Sequence, residues 1–437
     1  MFEVAKLRTK EKAILVGVKL PSGSRFTLEE SLQELALLTE TAGGEVLETI
    51  MQERQKLNPT FFIGKGKTDQ LKSLSQRLGA NIIIFDDDLT PAQVHNLEKN
   101  LDIKVIDRSW LILDIFAKRA KSKEAKVQVE LAQLQYMLPR LTRGWTHLSR
   151  QWGGIGTKGP GETQLEVDRR RVNRKIQELE KSLVKIDKER TVQRKRREDV
   201  FKVTLVGYTN VGKSTLFNQL TSSSVFVEEK LFATLDSTTR LLRVSANGKL
   251  TDGVKIVITD TIGFIRKLPH HLVASFKSTL DEVRLADLLL HVVDISHPDF
   301  QQHIARVNQV LSELDSLDKP TLMTYNKIDK LPQAYTLNLP SASHQESGRI
   351  FVSAMDNIGI GDLAEKITDF AKGDWAEALL YIGNGNSDLL SHVYKLGVVT
   401  ESKFEKEGIR LRIRGKRENL QRIRKLNGEL KLKFLPT

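Results

Sequence analysis

Cysteine is absent from this chain of 437 residues, which excludes disulfides, thiolate metal sites and cysteine nucleophiles. The chain also lacks an apolar run of the roughly 18–20 residues that span a bilayer, because its longest candidates, such as 288–293, have the length of a core strand. The first residues, MFEVAKLRTKEK, contain no signal-peptide hydrophobic region. The sequence therefore predicts a cytoplasmic protein with no transmembrane segment, and we expect a monomer.

Positive charge is in excess, and it is concentrated in three segments. The net charge is +13, while 40 % hydrophobic and 28 % charged residues are an ordinary globular balance that excludes wholesale disorder. Basic side chains outnumber acidic ones by nine to two in 118–158, thirteen to eight in 165–200, and twelve to five in 401–437. Segment 201–372 is nearly neutral, with eighteen against nineteen. Localised positive charge indicates a polyanionic partner, with a merely soluble basic surface as the alternative.

The predicted fold class is α/β, beginning with a small parallel α/β domain over 1–120. Strand-like and helix-like segments alternate in this region, and alternation of this kind is typical of a parallel sheet with crossover helices. The apolar patterns predict strands at 12–20, 45–51, 81–85 and 104–106, and a helix at 27–41.

Residues 121–199 are predicted to form an antiparallel helical hairpin. Two apolar stripes at heptad spacing, Val127 to Leu141 and Val172 to Ile186, flank a Gly-rich connection at 142–166, and we expect Pro139 to kink the first helix. Tryptophans and cations in the connection suit base stacking and phosphate neutralisation, so we predict an RNA-contacting tip, with a structural turn as the alternative. The predicted contacts are Arg143, Trp145, Arg150, Trp152, Gly153, Gly154, Gly156, Lys158, Gly159 and Gly161.

A nucleotide-binding domain is predicted over 200–372. The strand pattern at 202–206 leads into GYTNVGKS and then into a helical segment, which is the GxxxxGK[ST] motif in its strand–loop–helix context. Backbone N–H groups of such a loop hold phosphates, its lysine reaches the β/γ-phosphates, and its serine ligates Mg²⁺. The predicted binding residues are Gly207, Tyr208, Thr209, Asn210, Val211, Gly212, Lys213, Ser214 and Thr215.

Three further motifs complete the predicted pocket. In DTIG, Asp260 can hold Mg²⁺ through water and the Gly263 N–H can sense the γ-phosphate. In NKID, Asp329 can accept from the guanine N1–H and 2-amino group, which adenine lacks, so GTP is favoured over ATP. In SAM, backbone N–H groups can meet guanine O6. The predicted residues are Asp260, Thr261, Ile262, Gly263, Asn326, Lys327, Ile328, Asp329, Ser353, Ala354 and Met355.

A loop threonine is expected to close over Mg²⁺ in the GTP state. Thr234 is the predicted ligand beside Ser214 and the water-mediated Asp260, with Thr238 and Thr239 as alternatives. The surrounding loop, also predicted to bind GTP, consists of Phe232, Ala233, Thr234, Leu235 and Asp236.

Phe264 stands where a water-orienting glutamine would stand in a Ras-like GTPase. Because phenylalanine cannot hydrogen-bond a nucleophilic water, we expect slow hydrolysis unless a partner or a monovalent cation completes the site.

These motifs resemble the translation-factor class of P-loop GTPases, and the whole arrangement resembles the HflX family. The resemblance rests on 153–166 (GGIGTKGPGETQLE), 141–148, 105–120 and LFATLD at 231–236. It implies a GTPase that is stimulated by ribosomes, binds the 50S subunit and dissociates 70S particles, with the hairpin reaching toward the peptidyl-transferase region. Asn210 resembles a potassium ligand of some related GTPases, with simple bracing of the loop as the alternative.

The basic tail is predicted to form a small α+β domain over 380–437, in which the region 383–385 is a candidate linker; contact with ribosomal RNA and plain solubility are the alternative roles of its charge. Two alternative functions remain open: an ATP-driven RNA-remodelling protein with a second nucleotide site, and a 50S assembly factor. The run FFIGKGKTD at 61–69 suggests the second site, but it lacks GxxxxGK spacing, so a turn at a strand end is the preferred interpretation.

Overall fold

The computed structural model describes three sheets and the helices that pack on them. The described residues are 10–21, 25–141, 164–195, 200–221, 231–232, 237–242, 255–267, 277–332, 349–373, 375–383, 393, 398–405, 408–416, 420–423 and 432–434. The predicted RNA-contacting residues from Arg143 to Gly161, and switch residues 233–236, lie outside these ranges. Within the ranges, no helix combines the length and apolarity needed to cross a membrane.

The N-terminal sheet is entirely parallel, which confirms the predicted α/β class. Its order is β2-β1-β3-β4, and β1 and β3 are apolar on both faces because helices cover the sheet on both sides. The strands are β1 (Lys12–Lys19), β2 (Glu45–Glu53), β3 (Ile82–Phe85) and β4 (Lys104–Asp107). The helices are α1 (Arg25–Thr41), α2 (Lys65–Leu78), α3 (Pro91–Leu101) and α4 (Arg108–Arg119).

The next two helices, α5 (Lys123–Met137) and α6 (Gln164–Lys195), pack antiparallel. Their direction follows from two contacts, because Arg169 donates to the Leu141 carbonyl at 3.3 Å while Lys175, farther along α6, lies 3.5 Å from Glu130. The seam between them is apolar. It consists of Leu131, Leu134, Leu141, Val172, Ile176 and Leu179.

Two local predictions in this half of the chain are wrong. Segment 61–69 is not a turn at a strand end, because β2 has already ended and the segment forms a bridge between Asn58 and Phe62 before α2 begins. Pro139 does not kink α5. The α-helix stops at Met137 and a 3-10 turn follows, since proline lacks the N–H that would continue the ladder.

The central sheet is parallel except for one edge strand, in the order β10-β9-β8-β5-β7-β6. Its parallel strands bring their carboxyl ends, and the loops that follow them, to one edge. The strands are β5 (Phe201–Gly207), β6 (Thr238–Leu241), β7 (Ile256–Asp260), β8 (Leu288–Asp294), β9 (Thr321–Asn326) and β10 (Arg349–Phe351). The helices are α7 (Lys213–Thr221), α8 (Lys277–Arg284), α9 (Phe300–Glu313) and α10 (Ile360–Gly373).

The C-terminal sheet is antiparallel, in the order β12-β13-β11-β14. It begins before the predicted limit at residue 380, and Gly383, predicted as linker, is the last residue of β11. The reason is that Ala378, Leu380 and Ile382 alternate into the core and extend this strand on both sides of residue 380. The strands are β11 (Trp375–Gly383), β12 (Val398–Glu405), β13 (Gly408–Lys416) and β14 (Leu432–Phe434).

A buried ionic cluster lies at the carboxyl edge of the N-terminal sheet. Arg108 is 1 % exposed, donates to Asp86 at 2.7 Å and also contacts Glu34. The Ser31 hydroxyl donates to Asp86 at 2.7 Å. Burial by itself raises the pKa of Asp86, but the charges of Arg108 and Lys267 outweigh it and lower that pKa. The cluster therefore holds charged groups in the protein interior.

We expect Arg108→Met to lower the free energy of unfolding by about 3–5 kcal/mol, because two largely buried carboxylates lose a shared counter-ion. Urea unfolding at neutral pH measures this loss. The matched control is Lys118→Met on the same helix, whose ion pair with Asp114 is exposed and contributes about 0.5 kcal/mol or less. Equal losses in the two variants would contradict a structural role for the buried cluster.

Candidate nucleotide-binding site

The loop between β5 and α7 curls tightly at the edge of the central sheet. Gly212 has φ +90°, and a Cβ there would lie 2.3 Å from the Asn326 amide nitrogen, so only glycine fits. Lys213 is buried, and its Nζ donates to the carbonyls of Gly207 at 3.1 Å and Tyr208 at 2.6 Å. Burial lowers the pKa of Lys213 to about 8. An anion at this loop would offset that desolvation and stabilise the ammonium form.

Ser214 and Asp260 meet beside this loop. The Ser214 hydroxyl donates to Asp260 Oδ2 at 2.7 Å, and Asp260, the last residue of β7, is fully buried. A hydroxyl and a carboxylate are the ligand types that Mg²⁺ prefers, so the residues present fit the predicted ion. Thr261 instead donates its hydroxyl to the Leu205 carbonyl at 2.6 Å, so this side chain braces β5.

The NKID and SAM segments are tied to each other and to the P-loop. Asn326 donates to the Val211 carbonyl at 2.8 Å and accepts from the Ala354 N–H at 3.0 Å. The Ser353 hydroxyl donates to Asp329 at 2.6 Å. This bond orients the carboxylate that is predicted to recognise guanine. Three separated motifs are thus held as one pocket.

The remaining predicted residues play different parts. The Lys327 ammonium donates to the Asn210 carbonyl at 2.7 Å and lies 2.7 Å from Asp294. Ile328 is buried, whereas Met355 is 73 % exposed, so its side chain points away from the pocket's packed base. Thr239 pairs its hydroxyl with Thr259 at 2.9 Å, and Thr238 lies opposite Asp260 in the sheet.

The site also contains three residues that the sequence did not predict, namely Asp294, Gln219 and His291. Asp294 ends β8 next to β9, and an acid at a strand's carboxyl end was an available signal. Gln219 donates to the Ala354 carbonyl at 3.1 Å. His291 is buried in β8, where desolvation lowers its pKa to about 4 and keeps it neutral. No local pattern distinguishes these last two from ordinary core or helix residues.

The segment after Asp260 is bound to the P-loop through its backbone. Phe264 donates to the Gly207 carbonyl at 3.1 Å and accepts from the Thr209 N–H at 2.8 Å. A Cβ on Gly263 would lie 2.9 Å from Lys213 Nζ, so this backbone passes directly over the P-loop lysine. The Phe264 ring is buried in an apolar cluster and therefore offers nothing to orient water.

The P-loop and this segment also touch the N-terminal domain. Tyr208 Oη donates to Glu34 at 2.5 Å and accepts from the Arg266 backbone N–H at 2.8 Å. The Arg266 guanidinium donates to Glu30 at 2.8 Å, and Lys267 donates to Asp86 at 2.6 Å. We call these contacts the junction network; its members are Glu30, Glu34, Asp86 and Arg108 on one side and Tyr208, Arg266 and Lys267 on the other.

The start of the predicted switch loop reaches the same domain by an apolar contact. The ring of Phe232 is buried and packs edge-on against Phe116 of α4, with 4.7 Å between ring centroids. The described start of this loop and the segment after DTIG therefore both lie against the N-terminal domain.

A GxxxxGK[ST] loop on a parallel sheet, with Asp260, Asn326 and Asp329 gathered around it, defines a P-loop GTPase. Family models match three consecutive segments: a GTP-binding GTPase N-terminal region at 29–117, a GTP-binding GTPase middle region at 119–197, and a 50S ribosome-binding GTPase at 202–327. The chain belongs to the GTPase HflX family, and it is a GTP-hydrolysing, ribosome-associated GTPase.

Individual relatives show the extent of this similarity. The GTPase HflX of Caldanaerobacter subterraneus is 44 % identical over 95 % of this chain and 94 % of its own length. That of Flavobacterium psychrophilum is 53 % identical over 73 % of this chain and 76 % of its own. A solved structure, a GTP-binding protein from Sulfolobus solfataricus in complex with GDP, is 26 % identical, covering 83 % of this chain and 99 % of that one with a TM-score of 0.43.

Asp329→Asn should shift the base preference from guanine toward xanthine, because an amide can donate where xanthine carries an oxygen. We expect affinity for a fluorescent guanosine diphosphate to fall about 10- to 100-fold, because a polar group of the pocket is left without a hydrogen-bond partner. Titration with guanosine and xanthosine diphosphates measures the shift. Ser353→Ala, which removes one bond to the same carboxylate, should keep the guanine preference. An unchanged preference in Asp329→Asn would exclude this carboxylate as the base reader.

Proposed function

We propose that this GTPase binds the 50S subunit in its GTP state and dissociates 70S ribosomes, in a stress, rescue or recycling role. The junction network carries the proposal, because it joins the nucleotide loops to the domain from which the helical hairpin extends. The concentration of basic residues in 118–158 and 165–200 supports a polyanionic partner for that hairpin.

In this proposal the P-loop binds the phosphates and the NKID and SAM segments bind the base. Backbone N–H groups from 207 to 215 and the Lys213 ammonium neutralise the triphosphate, while Asp329 recognises guanine. Ser214, Thr234 and, through water, Asp260 would hold Mg²⁺, which would supply the remaining positive charge. The geometry of Ser214 and Asp260 supports this assignment.

In this proposal the nucleotide state reaches the hairpin through a short segment of chain followed by ion pairs and helix packing. If Gly263 moves to bond a γ-phosphate, Arg266 and Lys267 must move with it, since they follow it by only three and four residues. Their partners, Glu30 and Asp86, lie on α1 and after β3. From there the path runs to Arg108 at the start of α4, which packs on α5 at the base of the hairpin. We propose that GTP thereby sets the grip of the Gly-rich tip on ribosomal RNA.

Hydrolysis in this proposal is completed from outside the chain. Phe264 is buried and provides no group to orient the nucleophilic water, so a ribosomal group or a K⁺ ion near Asn210 would complete the site. We expect slow turnover alone and at least about tenfold faster turnover with 50S subunits. Phosphate release measured in K⁺ and in Na⁺, with and without 50S subunits, separates the two contributors. Equal and fast rates in all four conditions would contradict a partner-completed site.

Sedimentation of 70S ribosomes through sucrose gradients tests the proposed activity directly. With GTP or a non-hydrolysable analogue, we expect the 70S peak to fall and the protein to travel with 50S subunits, whereas GDP should leave 70S particles intact. Binding should weaken steeply as salt rises, because phosphate neutralisation releases counterions. Intact 70S particles in all three nucleotide conditions would contradict the splitting role, and a flat salt response would contradict the basic contact surface.

A further inference from the structure

The C-terminal sheet has one covered face and one open face. On the covered face, alternate residues of β11 and β13 form an apolar core with residues from the two segments that connect the strands. Those core residues are Ala378, Leu380, Ile382, Leu411, Ile413, Val393, Leu420 and Ile423. The opposite face has no such cover among the described residues, since its outward side chains are exposed or half-buried.

The centre of the open face carries one ring and one aliphatic side chain. Tyr381 and Leu379, both half-buried, point outward from β11 because their neighbours in sequence point into the core. On the neighbouring strand, Arg410 lies opposite Tyr381 and Arg412 lies opposite Leu379. Both arginines are exposed. Two guanidinium groups thus stand beside an aromatic ring on the two central strands.

The outer strands extend this positive surface. Lys403 of β12 lies opposite Arg410, and Lys433 of β14 lies opposite Leu379; both lysines are exposed. Among the described side chains, acidic residues are fewer on this face. Glu401 lies opposite Arg412, and Glu405 is 3.1 Å from Arg410 in an ion pair that is open to solvent. An exposed pair of that kind is weak, so a phosphate can replace its carboxylate at little cost.

We propose that this open face binds an unpaired segment of ribosomal RNA. Bases would stack on Tyr381 and on the guanidinium planes of Arg410 and Arg412, while Lys403 and Lys433 neutralise phosphates at the two edges. Four strands about 4.8 Å apart give a platform roughly 14 Å wide, which accommodates two or three bases. The RNA is assigned to the ribosome because the family associates with ribosomes. The inference rests on that association, and it does not require binding to differ between the GTP and GDP states.

The strand arrangement agrees with this occupant. When the strands of this sheet are numbered in chain order, they lie in the order 2-3-1-4, and all neighbours are antiparallel. The described residues of the β11–β12 and β13–β14 connections pack on one face. Four-stranded RNA-recognition sheets stack two or three bases on aromatic side chains. A sheet of this kind does not by itself decide function, but here the ring and the cations lie on the two central strands. An acidic protein segment would match the cations and leave the central ring without a role.

The first test measures binding of a fluorescein-labelled single-stranded RNA, about ten nucleotides long, to the full-length protein loaded with GDP. We expect Tyr381→Ala to weaken binding about tenfold and Tyr381→Phe, which keeps the ring, to weaken it less than about twofold. Arg412→Ala should lower the slope of log affinity against log salt by about one. The matched control is Arg422→Ala, an exposed arginine on the covered side of the same sheet.

Two results with the variants would overturn the inference. One is an equal loss in Arg412→Ala and Arg422→Ala, which indicates diffuse attraction in place of a site. The other is unchanged binding in Tyr381→Ala, which excludes stacking on the central ring. Competition by polyglutamate as effective as that by polyuridylate of equal charge would likewise favour an acidic protein partner and contradict RNA.

The second test locates the contact on the ribosome. Ultraviolet crosslinking of the full chain on 50S subunits, followed by mass spectrometry, should yield nucleotide adducts on peptides that contain β11 or β13. Co-sedimentation of the same samples reports the proposed function separately. If the protein co-sediments without such adducts, or if these strands crosslink to a ribosomal protein, the RNA inference fails and 50S binding stands. If it does not co-sediment, the proposed function fails and with it the ribosome as the source of the RNA, while the oligonucleotide test still decides whether the open face binds unpaired RNA.

Discussion

Arg108 lies between Glu34 and Asp86, and this buried group of charges is the contact on which the arrangement of the two α/β domains depends. The same two carboxylates also accept from Tyr208 of the P-loop and from Lys267 beyond DTIG. Buried charges tolerate few intermediate positions, because a carboxylate that loses its partners is neither solvated nor paired. A shift of the nucleotide loops against the N-terminal domain would therefore have to break or exchange these bonds, as the proposed switch requires.

The position of the cluster follows from the topology of two parallel sheets. Asp86 follows β3 and Arg108 follows β4, while Tyr208 follows β5, so the carboxyl edge of one sheet meets the carboxyl edge of the other. Parallel α/β sheets usually bind ligands at this edge. In the N-terminal sheet the strand-end acids are instead engaged by protein groups, since Asp86 and Asp87 bond Lys267 and Asp88 bonds Ser109. The edge of the N-terminal sheet at which a second nucleotide would bind instead contacts the nucleotide-binding domain.

The sequence predicted the elements and the nucleotide motifs because their chemistry is local. GYTNVGKS, DTIG and NKID follow apolar strand patterns, and the structure places each at a strand end. The junction network was not predictable in this way. Arg108 sits in VIDRSWL as an ordinary polar residue, and its partner Glu34 lies 74 residues away. Tyr208 was predicted as a phosphate-loop residue, but its hydroxyl points to another domain. The C-terminal domain was predicted to begin only at residue 380, with Gly383 in a candidate linker, because the pairing of β11 with β13 is set by residues far along the chain.

The central claim is that Arg266 and Lys267 carry the nucleotide state to the N-terminal domain. The most direct measurement is the ratio of 50S affinities with a GTP analogue and with GDP, compared between the native chain and an Arg266→Ala, Lys267→Ala double variant. Arg266 bonds the P-loop residue Tyr208 through its backbone N–H, which alanine keeps, so affinity for guanine nucleotides should change less than about twofold. The account predicts a ratio well above one for the native chain and close to one for the variant. A variant that keeps the native ratio would show that the coupling takes another route.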